Sequence, residues 1–461
     1  MMLPKYFRDE LKACLSLSIP LASAQLAQSM NGFVDTVMMG TLGSQYLAAG
    51  GLGATTFMFL LLINTGLLSA VSPIASEAHG RGDADRVAQS TVQGLWVALL
   101  ISIPVTVLLG HSAPLLRVLG QEEEIVVLSA SYLRAIALGY FPALVFVVLR
   151  NFVSALSRPQ SVMIIMVAGV GLNAIANYAL IYGAFGLPAL GLVGVGWAST
   201  VSFWAMSLAL GVYVFGRSPF KMYRIWHRLT DLQRQLLQEI LRVGLPIAIL
   251  SGFETGLFSL TTFLAGHFGA PTLAAHQIAL QTAAICFMVP FGVSQATTVR
   301  VGQFIGQRQP LAARRAGYAG VAIGAVFMAL MAVFIMTLPR LIISFYVDVN
   351  DPQNQEVITI AAGLLGVAAM FQIFDGVQVT TLGALRGIKD TRIPMGIGMV
   401  AYWGVGFTTG YITGFHLGMG GVGLWLGLAV GLGVAAIALI WRFHHLMLRA
   451  ECPQASPQSI E

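Results

Sequence analysis

Twelve stretches of mostly apolar residues follow one another along the chain, at 14–38, 46–71, 90–110, 127–150, 160–182, 191–215, 244–266, 272–298, 317–338, 355–381, 393–413 and 419–441. A bilayer core is crossed by about 20 such residues in helical form. The stretches are too long for barrel strands and lack their alternation, so each reads as a membrane-spanning helix. Charge supports the same reading. Only 10% of the 461 residues are charged against 57% hydrophobic, with a mean hydropathy of +0.79. That leaves too few polar side chains to cover a soluble surface. A cytosolic enzyme, a nucleic-acid module and a disordered chain are excluded. The predicted class is an all-α integral membrane protein with twelve transmembrane helices.

The net charge of +6 has a membrane explanation. With both termini on one side, all but Arg117, Arg134 and Arg340 of the 25 Lys and Arg fall on that side. This asymmetry across short loops assigns the basic face, with both termini, to the cytoplasm. The first stretch follows KYFRDELK, contains Pro20 and lacks a small-residue cleavage site, so it reads as a retained span. Cys14, Cys286 and Cys452 are too scattered for a disulfide framework or metal spacing. No Walker motif, nucleophile elbow or zinc signature occurs, which argues against an ATP-driven pump, an enzyme or a bound cofactor.

Shifting the chain by 226 residues superposes Pro20 on Pro246, Gly40 on Gly266, Gly43 on Gly269, Gly66 on Gly292 and Gly80 on Gly306 without a gap. Further on, GVG at 194–196 matches GVG at 421–423. Each half crosses an even number of times, so both start on the same side and their pseudo-twofold runs along the membrane normal. The expected organisation is an amino-terminal six-helix lobe (1–215), a cytoplasmic linker (216–243), a carboxy-terminal six-helix lobe (244–445) and a cytoplasmic tail (446–461). Within the linker, LTDLQRQLLQEILR reads as an amphipathic helix capped by Thr230 or Asp231. Two similar bundles with a cleft between them describe a transporter better than a receptor or scaffold.

Of the 19 acids, only Asp35, Glu254 and Asp375 lie well inside spans. A carboxylate there costs roughly 2.5–3.5 kcal/mol even on the lenient insertion scale. With no Lys or Arg expected inside the spans, each calls for a proton or a cation. Asp35 shares a stripe with Gln25 and Gln28 and has Asn31 one turn before it. Phe258 lies one turn beyond Glu254, and Phe371, Gln372 and Gln378 flank Asp375. Asn173 and Asn177 stand one turn apart in the fifth span. Such oxygen-rich groups suit Na⁺ or H⁺ rather than a transition metal, although paired asparagines serve equally as hydrogen-bonding glue between helices. Gln28, Asn31, Phe258, Gln281, Phe287, Phe371 and Gln378 are candidate cleft or substrate-binding side chains. Aromatic and Met side chains also offer an adaptable wall for apolar cations. His276 and Gln277 are further possible lining residues. DVNDPQNQE at 348–356 lacks the glycine of a calcium loop and reads as a turn.

The stretches SIPLASAQLAQSMNGFVDTVMMGTLGSQYLAA, LNAIANYALIYG with GLVGVGWAS, GLPIAILSGFETGLF and GALRGIKDTRIPM carry a resemblance. Over roughly residues 10–445 the chain resembles the multidrug and toxic compound extrusion (MATE) transporters, in particular their NorM-like branch. The resemblance implies two six-helix lobes around a V-shaped cleft, exchanging Na⁺ or H⁺ for small organic cations and amphipathic drugs by alternating access. It places the amino-lobe acid at Asp35 with Asn173 and Asn177, and the carboxy-lobe acids at Glu254 and Asp375, with Na⁺ at either set. Many NorM-like members carry a tyrosine one turn before the last acid, where this chain has Phe371, a ring without a hydroxyl ligand. The implied protein is a monomeric, secondary-active multidrug efflux antiporter of a bacterial inner membrane, with Na⁺ or H⁺ as coupling ion. The nearest alternative is a lipid-linked precursor flippase of similar fold, which calls for basic residues inside the spans. A major-facilitator transporter, or a channel, is a more distant one.

Overall fold

The computed structural model describes residues 5–451, so 452–461 of the expected tail, Cys452 among them, lie outside the described residues, while 446–451 continue the last helix. The first half of the chain forms α1 (Lys5–Gly40), α2 (Ser44–Leu68), α3 (Val71–Gly80), α4 (Ala84–Gly110), α5 (Ala113–Val118), α6 (Glu123–Ala137), α7 (Tyr140–Ala155), α8 (Gln160–Tyr182) and α9 (Leu192–Gly216). A short α10 (Ser218–Lys221) follows. The second half forms α11 (Arg234–Gly266), α12 (Ala270–Gly306), α13 (Pro310–Thr337), α14 (Pro339–Ser344), α15 (Gln355–Gly387), α16 (Arg392–Met399), α17 (Thr408–Tyr411) and α18 (Gly420–Glu451). Two π-helical stretches, Val400–Phe407 and Ile412–His416, join α16 and α17 into one pass.

Among the described residues nine helical segments are by themselves long and apolar enough to cross a bilayer, and the pair α6–α7, bent by 47°, makes a tenth. The other two passes have identifiable reasons for falling short. In α1 the apolar run is diluted by Gln25, Gln28, Asn31 and Asp35. In the pass over 392–416 the π-helical turns divide what the sequence reads as one helix.

Local sequence sets the breaks. Gly43 (φ 120°) and Gly269 (φ 99°) precede α2 and α12 in a conformation that suits glycine, and they are equivalent under the 226-residue shift. The Asp83 carboxylate accepts from the Arg86 N–H at 2.9 Å and caps α4. Pro310 and Pro339 open α13 and α14, where a missing N–H costs nothing.

The helices gather into two compact units, Ser23–Ser251 on one hand and Met1–Ala22 with Gly252–Glu461 on the other. The boundaries fall inside α1 and α11 rather than in a loop. Each unit thus takes a helix segment from the opposite half of the sequence. A pair of backbone contacts shows the exchange. In one unit a Cβ on Gly66 of α2 would lie 3.1 Å from Cα of Ala248; in the other a Cβ on Gly292 of α12 would lie 2.6 Å from Cα of Ala22. Both pairs differ by 226, so the same crossing is built twice with the partners swapped.

The expected linker helix begins later than its sequence implies. Residues 229–233 are not helical, and α11 starts at Arg234 and runs without interruption through Gly266, so Thr230 and Asp231 do not cap it. The reason is a competing set of hydrogen bonds. The indole of Trp96 donates to the Leu229 carbonyl at 2.8 Å, and the Gln93 amide donates to the Asp231 carbonyl at 2.6 Å. Arg228 pairs with Asp85 and Arg86 with Glu239, each at 2.6 Å. The segment is tied along α4.

Candidate functional site

The unit Ser23–Ser251 buries Asp35 in a closed ring of four side chains. Asn177 Nδ2 donates to Asp35 Oδ1 at 2.6 Å and to Asn173 Oδ1 at 3.0 Å. Asn173 Nδ2 donates to Ser199 Oγ at 3.4 Å, and the Ser199 hydroxyl returns to Asp35 Oδ2 at 3.1 Å. Spacing explains the geometry: Asn173 and Asn177 are one turn apart on α8, which packs on α9, the carrier of Ser199. Both asparagines are fully buried. The Asn177 carbonyl oxygen has no partner, leaving an acceptor beside the carboxylate. Buried Tyr132 lies within electrostatic reach of Asp35. Every group bonded to this acid is neutral.

The other unit joins Glu254 and Asp375. The charge of Glu254 acts on Asp375, and Arg386 acts on Glu254. Tyr402, in the first π-helical stretch, feels Glu254, Asp375 and Arg386. Its hydroxyl accepts from the Gln378 amide in a short hydrogen bond. Phe371, Gln372, Asp375 and Gln378 are all buried along α15, as one stripe of that helix requires. The guanidinium thus faces Glu254, and Asp375 meets the charge of Glu254.

Beside this cluster, Phe371 meets Phe258 edge-on at 6.0 Å between centroids and Trp425 at 5.5 Å. His276 is hydrogen-bonded on both ring nitrogens, to Trp425 and to Thr262. Phe287 stacks on Phe291 at 5.6 Å. Gln281, Gln277 and Gln28 are exposed and Asn31 is half-buried, so Gln28 does not share the buried face of Gln25 and Asp35.

Two features correct the expectation of spans free of basic side chains. Arg386 belongs to α15 and acts on Glu254, and Arg150 belongs to α7 and is only 6% exposed. Both stand near the ends of apolar runs, where counting by loops assigns them to the surface. Nothing in the sequence alone marks Ser199 or Tyr402. A hydroxyl in an apolar run carries little signal beside a carboxylate, and only the position of α9 and of the π-helical turn brings them to the acids.

Comparison with known proteins supplies the relatives of this arrangement. The MatE family model matches residues 20–179 and 246–412. A probable multidrug resistance protein NorM of Synechocystis sp. is 42% identical over 440 residues, covering 95% of each chain. A protein of the same description from Pseudomonas aeruginosa is 41% identical over 451 residues, covering 97% of this chain and 92% of its own. Among solved structures, the eukaryotic MATE transporter AtDTX14 superposes with a TM-score of 0.85 at 21% identity, over 97% of this chain and 99% of its own. A MATE in complex with MaD3S gives 0.87 at 22% identity, over 96% and 97%. At such identities these structures speak for the fold alone.

Proposed function

The chain belongs to the MatE family of membrane transporters, and on that premise we propose that it exports organic cations and other amphipathic drugs in exchange for Na⁺ or H⁺. The full-length relatives carry the name multidrug resistance protein, which supports the cargo class. The observation that carries the coupling is the ring around Asp35. Its donors are an amide and a hydroxyl, so the ionised acid keeps one full negative charge in a buried place. The second cluster holds two carboxylates against one guanidinium, again a balance of minus one. A bare charge in low dielectric is costly. Each cluster is therefore satisfied by one proton or one monovalent cation.

An organic cation in the same field competes with that ion. Occupation by one lowers affinity for the other, and the effect is reciprocal. Alternating exposure of the acids to the two sides then converts an inward ion gradient into outward drug movement. In this reading the basic-loop side with both termini is cytoplasmic, the membrane is a bacterial inner membrane, and the unit of function is one chain, since each acid cluster is completed within it. An anionic lipid-linked cargo would need several cationic side chains around it, and the buried acids oppose it.

The test is efflux of a fluorescent organic cation from proteoliposomes under an imposed Na⁺ gradient and, separately, an imposed pH gradient. One gradient at least drives export in the wild type, and Glu254→Gln and Asp375→Asn each abolish it while the proteins still insert. Equal export in those variants would reduce the acids to structural groups, and export without either gradient would rule out exchange.

A further inference from the structure

Arg150 on α7 is a buried cation that the exchange chemistry does not use. A guanidinium stays charged at any accessible pH and offers five N–H donors and no acceptor. Here its recorded hydrogen bond runs from Nη1 to the Gln25 Oε1 at 3.2 Å, and its Nε is buried without an acceptor. Among the described residues no carboxylate acts on its charge. The buried acid of the neighbouring helix α3, Glu77, pairs with Arg81. An arginine in this situation lacks its counter-charge, and a buried ion without one is costly.

Its surroundings contain a second uncommitted donor. Ser154 lies one turn along α7 on the same face, is 5% exposed, and its hydroxyl has no partner. Many other buried helical hydroxyls are satisfied, either by the carbonyl three or four residues back, as in Ser90, Thr91 and Ser202, or by a neighbouring helix, as in Ser129, Thr200 and Ser294. Ser76 on α3, which packs on α7, also has a buried hydroxyl without a partner. Unpartnered hydroxyls on two packed helices, one of them a turn from an unpaired positive charge, describe a place for an anion.

We propose that Arg150, with the Ser154 hydroxyl, forms an internal site for a small monovalent inorganic anion, a halide such as chloride. The charge and size decide the class. One guanidinium is balanced by one negative charge, whereas a phosphate brings nearly two and several oxygens that would each demand a donor. A halide accepts from any direction and fits the side-chain donors at hand. Bound there, it neutralises the cation inside the unit Ser23–Ser251 and acts as a structural ligand of the folded state.

The test needs no transport, so it stands or falls separately from the export reading. The purified protein is exchanged into sodium gluconate, and its melting temperature is followed as chloride or bromide replaces gluconate at constant Na⁺ and ionic strength. A ligand that binds only the folded state raises the midpoint in a saturable way. The wild type should show that rise. Arg150→Gln should lose it. Gln25→Glu is the sharper variant, because it places a carboxylate where the Oε1 acceptor stands. It should melt in gluconate at or above the wild type and no longer respond to halide, even if Arg150→Gln does not accumulate. Identical wild-type melting in chloride and gluconate, or an undiminished halide response in Gln25→Glu, would overturn the site.

Discussion

The indole N–H of Trp425 donates to Nδ1 of His276 over 3.1 Å, and this bond fixes the tautomer of a buried imidazole. An indole nitrogen can only donate, so Nδ1 carries a lone pair and the ring proton sits on Nε2. Nε2 then donates to Thr262 Oγ1 at 2.9 Å, and the Thr262 hydroxyl passes its own hydrogen to the Phe258 carbonyl at 3.0 Å. Donors and acceptors are matched along the whole relay. Trp425 in turn meets Phe371, which stands one turn before Asp375. A neutral histidine thus sets the aromatic ring beside the carboxy-lobe acids without carrying charge itself.

The relay predicts a non-additive pair of mutants. His276→Leu leaves the Trp425 N–H buried without an acceptor and should cost about 1–3 kcal/mol. Trp425→Phe leaves the imidazole nitrogen without its donor. The double variant removes both polar groups and should be more stable than the sum of the two losses allows, by about 1 kcal/mol. Thermal unfolding of the three proteins checks this; strict additivity would mean that the 3.1 Å bond contributes nothing.

The duplicated crossing makes a second comparison possible. A methyl on Gly292 would sit 2.5 Å from the Ala22 nitrogen and 2.6 Å from its Cα, contacts that only backbone movement relieves. On Gly66 the nearest atom is the Ala248 Cα at 3.1 Å, a looser fit with a smaller overlap. Gly292→Ala should therefore lower the melting temperature or folded yield markedly more than Gly66→Ala. Equal effects would mean that the two crossings are not as differently spaced as their contacts indicate.

The strap along α4 predicts where a protease enters. Trp96→Phe together with Gln93→Leu removes the bonds to the Leu229 and Asp231 carbonyls and should expose residues 229–233 to cleavage at concentrations that spare the wild type. Arg86→Ala should matter less. Its pair with Glu239 is partly exposed, at 38% and 24%, and such pairs are worth about 0.2–1 kcal/mol. Cleavage mapped by mass spectrometry decides; a cut elsewhere first would locate the weak point outside the strap.

These features also mark what the chain reveals before it folds. The runs of apolar residues and the shift of 226 disclosed twelve helices and a duplication, because length and the Pro and Gly positions survive any packing. The acids inside the spans were legible for the same reason that they are costly: Asp35, Glu254 and Asp375 stand out against apolar neighbours. Arg150 and Arg386 did not, since a charge near the end of an apolar run looks the same whether it turns inward or meets water. Ser199, Tyr402 and Trp425 acquire meaning only through neighbours far away in sequence. The exchange of helix segments between the units was hidden too, because the alternative partners of each glycine, Ala22 and Ala248, are the same residue type at equivalent repeat positions.

The ring around Asp35 supports the most specific expectation for exchange. Asp35→Asn keeps the shape of the ring, turns one of its two acceptor oxygens into a donor and removes its charge, so the coupling ion loses its reason to bind. Suppose that ion occupation weakens drug binding tenfold, which is about 1.4 kcal/mol of coupling. The asparagine variant should bind a fluorescent organic cation with no dependence on Na⁺ or pH and should not turn over. Ser199→Ala removes one 3.1 Å donor and leaves the charge, so coupling should persist but shrink to a factor of a few. Asn177→Ala breaks the 2.6 Å bond and the link to Asn173 at once and should fall between the two. Equilibrium binding across a grid of Na⁺ concentration and pH orders the three variants. If Asp35→Asn retains the wild-type ion dependence, coupling does not pass through this ring, and the acids Glu254 and Asp375 must carry it alone.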